Sequence, residues 1–323
     1  MIGKTNAVCG TPDGGNSDRR TYFGTGADGD LHITAAQTYT VDVVEDSESA
    51  ILNLKSLVID EGGVLTTSGR CQGLFVKVDG DCTINGTINM DKKAPREAVN
   101  DAELAQNPCI VLCGSPVGGN GGSGGTNTQS QSSYTRYHGG SGGAGYVFGG
   151  GSGGGGASNG ENGSDGTRAP VGVTWPYKKQ PPLYGCGGGG TGIAGGAAPG
   201  GGGYNNVSGK DGDAYGGGAI YLFVYGALTI GSTGKLTANG GNGAAGQYYH
   251  HSSSGYSNST YSGSGGGGGG GVICIVYNAT IVHGGQLSVA GGTSTSYTSN
   301  NICTGTSGSV GTTMTAKFET LQK

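Results

Sequence analysis

Residues 56–69, Ser-Leu-Val-Ile-Asp-Glu-Gly-Gly-Val-Leu-Thr-Thr-Ser-Gly, align without gaps to residues 227–240, Ala-Leu-Thr-Ile-Gly-Ser-Thr-Gly-Lys-Leu-Thr-Ala-Asn-Gly. A third copy occupies 278–291, and 83–89, Thr-Ile-Asn-Gly-Thr-Ile-Asn, is a shortened one. Each copy is two short apolar segments around a glycine turn, and alternation at Leu57/Ile59, Leu228/Ile230 and Leu236 turns one face inward with the period of a strand. Such a unit cannot bury its apolar face alone, so units must stack. The apolar runs 74–78, 220–224 and 273–276 supply a further strand per unit. The expectation is a parallel coil of β-strands, or a sandwich of such layers, with Leu57, Ile59, Leu65, Leu228, Ile230, Leu236, Ile281 and Leu287 buried. Segments 31–34, 38–44, 51–59 and 74–78 also read as strands between Asp-Gly and Gly-Gly turns. Only 94–106 reads as a short exposed helix.

Glycine sets the second constraint. Of 323 residues 76 are Gly, and charged residues are only 12%. Disorder couples low apolar content to high net charge, whereas here the net charge is −4 and the glycines are clustered between apolar runs. Collagen needs glycine at every third position and abundant proline, and there are nine Pro. The tracts 118–125, 139–156, 185–203, 216–218 and 263–271 run directly into apolar strands or Tyr-rich segments, where a flexible linker would sever a compact body. Without Cβ atoms, extended glycine segments of the three-residue left-handed kind can pack in close arrays through backbone hydrogen bonds. The tracts are therefore expected to be ordered and interior, Gly150 to Gly156 and Gly265 to Gly271 included. The expected fold class is all-β: stacked parallel β-solenoid-like strand layers with ordered polyglycine type II helices.

Several chemistries are disfavoured. The longest basic run is Lys178-Lys179, too little to attract a phosphate backbone, so no nucleic-acid partner is expected. The N-terminal residues lack the apolar stretch of a secretory signal, and the apolar run 220–230 is too short to span a bilayer, so a soluble chain made in a cytoplasm is expected. The eight cysteines (Cys9, Cys71, Cys82, Cys109, Cys113, Cys186, Cys274 and Cys303) form no CxxC pairs. They read mostly as buried thiols, ahead of disulfides and of metal ligands. GxGxxG patterns arise here from composition alone, and Gly3-Lys4-Thr5 lacks the upstream half of a phosphate loop. Asp28-Gly29-Asp30 and Asp211-Gly212-Asp213 read as turn chemistry before Ca²⁺ ligation. Adjacent His250 and His251 would face opposite sides of a strand. No catalytic residues, metal or cofactor are expected, and no enzymatic activity.

Between the tracts lie segments dominated by Tyr, Ser, Asn and Gly, the composition of adaptable binding loops. They hold Tyr134, Arg136, Tyr137 and His138; Trp175, Tyr177, Lys178, Lys179 and Tyr184; Tyr248, Tyr249, His250, His251, Tyr256 and Tyr261; and Tyr297 in 293–303. Read without a recognition role, the same tyrosines would simply cover the sides of a protein poor in other large residues. Glycine tracts alternating with Tyr- and Ser-rich segments over 118–271 resemble the distal tail-fibre adhesins of T-even-like bacteriophages. The opening 24–31, the segment 81–89 and the final Gly-to-strand units are also similar to glycine-rich virion proteins of many tailed phages. The resemblance implies a stack of polyglycine type II helices whose connecting loops contact the host surface. Four regions are expected along the chain: an N-terminal attachment region 1–50, a β-repeat region 51–114, a glycine-rich lattice with Tyr-rich loops 115–271, and a C-terminal β-repeat and tail 272–323, with no obvious match to the fibre-attachment domain of those adhesins. The resemblance further implies a place on the virion surface, with other virion proteins and a bacterial outer-surface protein or glycan as partners, while the short apolar runs predict no membrane insertion. The repeat strands and the cysteines depart from those adhesins. A structural virion component, such as a head fibre or capsid decoration, is the alternative, and a lectin-like matrix protein a weaker third.

Overall fold

The computed structural model describes residues 23–45, 49–71, 73–94, 215–243, 248–253, 256–261, 267–293 and 307–318. Five successive coils of chain stack on one another, each contributing one strand to each of three parallel sheets. The first coil consists of β1 (Asp30–Ile33), β2 (Thr38–Val41) and β3 (Ser49–Leu54), and the second of β4 (Ser56–Ile59), β5 (Val64–Thr67) and β6 (Gly73–Val78). The third consists of β7 (Cys82–Ile84), β8 (Thr87–Asn89) and β9 (Ala219–Val224). The fourth has β10 (Leu228–Ile230) and β11 (Lys235–Thr237), then a separate hairpin, β12 (Tyr248–Ser253) with β13 (Tyr256–Tyr261), before it closes with β14 (Val272–Tyr277). β15 (Ile281–His283), β16 (Gln286–Ser288) and β17 (Thr312–Lys317) complete the fifth. The protein is all-β, with sheets ordered β1-β4-β7-β10-β15, β2-β5-β8-β11-β16 and β3-β6-β9-β14-β17. Of the two architectures left open by the repeat, the parallel coil is the one formed.

Register explains why the repeat is needed. Leu57, Cys82, Leu228 and Ile281 stand in one column of the first sheet, and Ile59, Ile84, Ile230 and His283 in the next inward one. Leu65, Ile88, Leu236 and Leu287 form the inward column of the second sheet. Facing them, the third sheet stacks Leu74, Ile220 and Ile273, with Val76, Leu222 and Ile275 beside them. All three sheets meet in one apolar core. Like residues in a column repeat the same packing at each level, so a single pattern of alternating apolar residues specifies every coil.

Leu57, Ile59, Leu65, Leu228, Ile230 and Leu236 are buried as expected, but Ile281 and Leu287 are only partly so, because among the described residues no coil lies beyond the fifth. The third repeat also needs a correction. A gapless alignment sets Ile281 against Ile230, whereas the pairing sets it against Leu228. The turn between β15 and β16 is two residues shorter than that between β10 and β11, and the two copies come back into step at Leu236 and Leu287. The run 51–59 likewise divides into β3 and β4, with Lys55 turning the corner between sheets. Residues 95–106, read as a helix, lie outside the described residues.

Along its inner strands β6, β9 and β14 the third sheet is buried on both faces. Its outward side carries Phe75 stacked on Tyr221 at 4.4 Å between ring centroids, with Phe223 further along. Phe23 packs edge-on against Tyr225 and Phe318 to extend this second cluster. Cys71, Cys82 and Cys274 are free, buried thiols, and the other five cysteines lie outside the described residues. Burial pushes the Cys274 thiol up to about 12 and raises those of Cys82 and Cys71 as well.

Candidate functional site

One corner of the coil, between the second and third sheets, differs from the other two. In the first two coils it is crossed by 42–48 and 68–72. In the third, fourth and fifth coils it opens into long excursions, and these hold every Tyr-rich segment singled out in the sequence. The chain leaves the stack after Ala94, Gly243 and Thr293 and is described again from Tyr215, Gly267 and Ser307. Three consecutive levels of one corner therefore carry 95–214, 244–266 and 294–306.

Glycine makes that convergence sterically feasible. Residues 215–218, 267–271 and 307–311 run back towards the stack beside the outgoing residues 90–94, 238–243 and 289–293, backbone against backbone. Gly217 donates its N–H to the Gly269 carbonyl at 2.9 Å, Gly268 to Gly241 at 2.8 Å, and Gly271 to Ala238 at 2.8 Å. Gly292 donates to Gly268 at 2.7 Å and Gly270 to Ser309 at 2.8 Å. Residues 267–271 thus bond to four neighbouring segments, where a strand in a sheet bonds to two. A Cβ on Gly271 would collide with the Gly218 carbonyl, one on Gly292 with that of Gly241, and one on Gly308 with that of Gly268. None of these glycines has a positive φ, so what each supplies is the absent side chain. Gly216 to Gly218 and Gly267 to Gly271 are buried, as expected of the tracts. Gly150 to Gly156 and the tracts 118–125, 139–156 and 185–203 lie outside the described residues.

Side chains pin the outgoing limbs. Asp91 Oδ1 accepts the Asn239 N–H at 2.6 Å, and Asn239 Oδ1 accepts the Ala290 N–H at 2.8 Å and the Ser288 hydroxyl at 2.7 Å. Asn242 Oδ1 accepts the Thr293 N–H at 2.9 Å. Asp91, Asn239 and Ala290 each sit two residues beyond the second strand of their coil, so one level holds the next at equivalent positions. Lower on the same corner, Glu45 pairs with Arg70 at 3.0 Å, and the Arg70 guanidinium lies 4.4 Å from the centroid of the Tyr215 ring. Sequence reading passed over Asp91, Asn239, Arg70 and Tyr215. The common offset of Asp91 and Asn239 from the repeat was the available signal, and the Arg70–Tyr215 contact, between residues far apart in the chain, had none.

Of the expected binding residues, Tyr248, Tyr249, His250, His251, Tyr256 and Tyr261 lie on the antiparallel hairpin β12–β13, where a loop was expected. Tyr248 pairs with Tyr261, His250 with Ser259 and Ser253 with Tyr256. Tyr134, Arg136, Tyr137, His138, Trp175, Tyr177, Lys178, Lys179, Tyr184 and Tyr297 lie outside the described residues.

Elsewhere, the acidic pair at the first turn is occupied in joining coils. Asp28 Oδ2 accepts the Asn53 N–H at 2.7 Å, and Asp30 Oδ1 accepts the Ser56 hydroxyl at 2.7 Å. Among the described residues no three His, Cys, Asp or Glu converge on a point that could hold a metal, and no helix is long and apolar enough to cross a membrane. In comparisons with protein-family models, curated proteins and solved structures, the chain matches none.

Proposed function

We propose that this chain is a receptor-binding adhesin of a bacteriophage, attaching the virion to a bacterial surface protein or glycan through Tyr- and Trp-rich segments presented at one corner of a β-solenoid. The observation that carries the reading is that the excursions holding all those segments leave and rejoin the stack at three consecutive levels of a single corner. Excursions rooted at one corner would concentrate large, rigid contact groups where one partner can meet several at once, the arrangement that interface anchors require. The four-way bonding of 267–271 supports a second part of the proposal, that the glycine tracts continue away from the stack as polyglycine type II helices. In this reading the chain sits on the virion surface and its role is binding, with no cofactor and no catalysis.

Aromatic contact gains by apolar burial, with tyrosine hydroxyls bonding at the rim, and a net charge of −4 gives little long-range steering. The test is binding of the labelled full-length chain to a panel of bacterial envelopes across a salt series. Trp175→Ala with Tyr177→Ala, and Tyr248→Ala with Tyr249→Ala, should each weaken binding by about 1–4 kcal/mol per dominant anchor while circular dichroism stays unchanged. Wild-type binding by both double variants, or a steep loss of binding on adding salt, overturns the assignment. Binding to no envelope, together with firm attachment to purified capsids, favours a structural virion component instead.

A further inference from the structure

The two ends of the stack are unlike. At the first coil the inward residues Ile33, Ala50, Leu52 and Leu54 are buried, while Leu31, Tyr39 and Val41 are half-buried, so the third sheet is closed there and only the first two sheets keep some apolar surface. Residues 23–54 also carry Asp28, Asp30, Asp42, Glu45, Asp46 and Glu48 without one Lys or Arg. At the fifth coil Ile281 and Leu287 are half-exposed, and Thr313 and Thr315, standing in the columns of Ile273 and Ile275, are exposed. Val282 and Val310 are 62% and 53% exposed. Between Lys235 and Lys317 the sequence has no Asp, Glu, Lys or Arg. The edge strands β15, β16 and β17 contain no proline, and a single lysine, at the end of β17. Edges that must stay unpaired are ordinarily protected by charge, proline or bulges, and this end has almost none of that protection.

We infer that the fifth coil is a self-association surface on which a second copy of this chain docks end to end about a two-fold axis. Strand lengths fit that symmetry. An axis through Met314 sets β17 antiparallel to its own counterpart, with residues 312–316 opposing 316–312, and brings β15 to the partner's β16, three against three. Antiparallel pairing places opposed residues on the same face, so inward residues stay inward only if the axis passes through a residue of β17. Centring on Met314 opposes Thr313 to the partner's Thr315, joining two hydroxyl-bearing residues across strands. Each third sheet would then continue into the other molecule. Head-to-tail stacking would set the exposed Thr313 and Thr315 against a third-sheet column already closed by Ala50, Leu52 and Leu54, and would lay an uncharged end on an acidic one. Two first coils would bring their acidic groups together. The inference goes beyond the adhesin reading and is independent of it.

Sedimentation of the full-length chain should give a dimer in the micromolar range. Met314→Cys places two thiols across the axis at the Cα separation of an antiparallel pair, within disulfide range. Under mild oxidation it should form at least about ten times more covalent dimer than wild type, whose native cysteines set the background. Val282→Cys, also exposed but on the outer face of the first sheet, should stay near background. A monomer at all concentrations, assemblies growing beyond a dimer, or a dimer that Met314→Cys fails to cross-link would each overturn the inference.

Discussion

Inside the prism formed by the three sheets, neighbouring coils are held by packed side chains along with strand pairing, whereas the returning glycine segments of the corner are held by the backbone. Both regions repeat from level to level along one axis. In the prism, columns such as Leu52-Val76-Leu222-Ile275 bury branched side chains in a common core, and hydrogen bonds run only between strands of the same sheet. At the corner, 267–271 has no side chains to bury and bonds in four directions instead. A branched side chain keeps chains of different sheets well apart, and glycine lets chains touch. The difference teaches that one polypeptide can change packing rule within a coil, provided its composition changes within a few residues, as it does from Gly271 to Val272.

The sharpest way to break this contrast is to delete volume in the prism. Leu222→Ala should cost about 2–5 kcal/mol in urea unfolding, and a loss under about 1 kcal/mol would mean that the columns are not the main source of cohesion. Adding volume at the corner comes next. Gly271→Ala should cost about 1–3 kcal/mol, although alanine is the smallest side chain, because the new methyl meets the backbone of Gly217 and Gly218. A neutral or stabilising result would show that the corner is loose.

The thiols sharpen the contrast from the prism side. Cys274 is held protonated in the fold, with its pKa raised from 9.0 to about 12. Above pH 9 the unfolded chain gives up a proton that the folded chain keeps, so stability falls as pH rises and levels off only near pH 12. At pH 10 this one thiol should account for roughly 1.4 kcal/mol of loss. Comparing the unfolding of wild type and Cys274→Ala from pH 8 to 10 should show a shallower decline in the variant, and parallel curves would contradict a buried thiol. The smallest effect is expected at Asn239→Ala, about 1 kcal/mol. Hydrogen exchange should speed up at the Ala290 amide, which loses its acceptor, while Leu222 and Ile275 keep their protection.

The prism was largely legible because its signal is local and periodic. Leu57, Ile59, Leu65, Leu228, Ile230 and Leu236 announce their burial through alternation around a glycine turn. The shift at Ile281 was hidden because a turn can lose two residues without changing its composition. β17, Thr-Thr-Met-Thr-Ala-Lys, escaped notice because an end strand has little apolar burial to encode. The hairpin escaped because Tyr-Tyr-His-His-Ser-Ser does not alternate in polarity. Convergence of the excursions was invisible for a different reason. It depends on which strand ends are neighbours, and no residue within an excursion carries that information.

The clamp between Ala94 and Gly216, where the Ala94 N–H meets the Gly216 carbonyl at 3.0 Å, has a consequence for the order in which the molecule folds. The first two coils close through connections of a few residues, so β3 and β6 can zip together early. The third coil closes only when β9 returns after residues 90–218, and chain-closure entropy makes that step costlier than closing 68–72 by roughly 3 kcal/mol. Until then β6 offers an open edge, with Phe75 uncovered by Tyr221. Synthesis from the N-terminus makes that edge long before β9 emerges, so the finished coils serve as a template on which the later half of the chain sets its register. Mutations in β6 should therefore slow refolding more than mutations of equal cost in β14, because β6 is the surface on which the late strand must land.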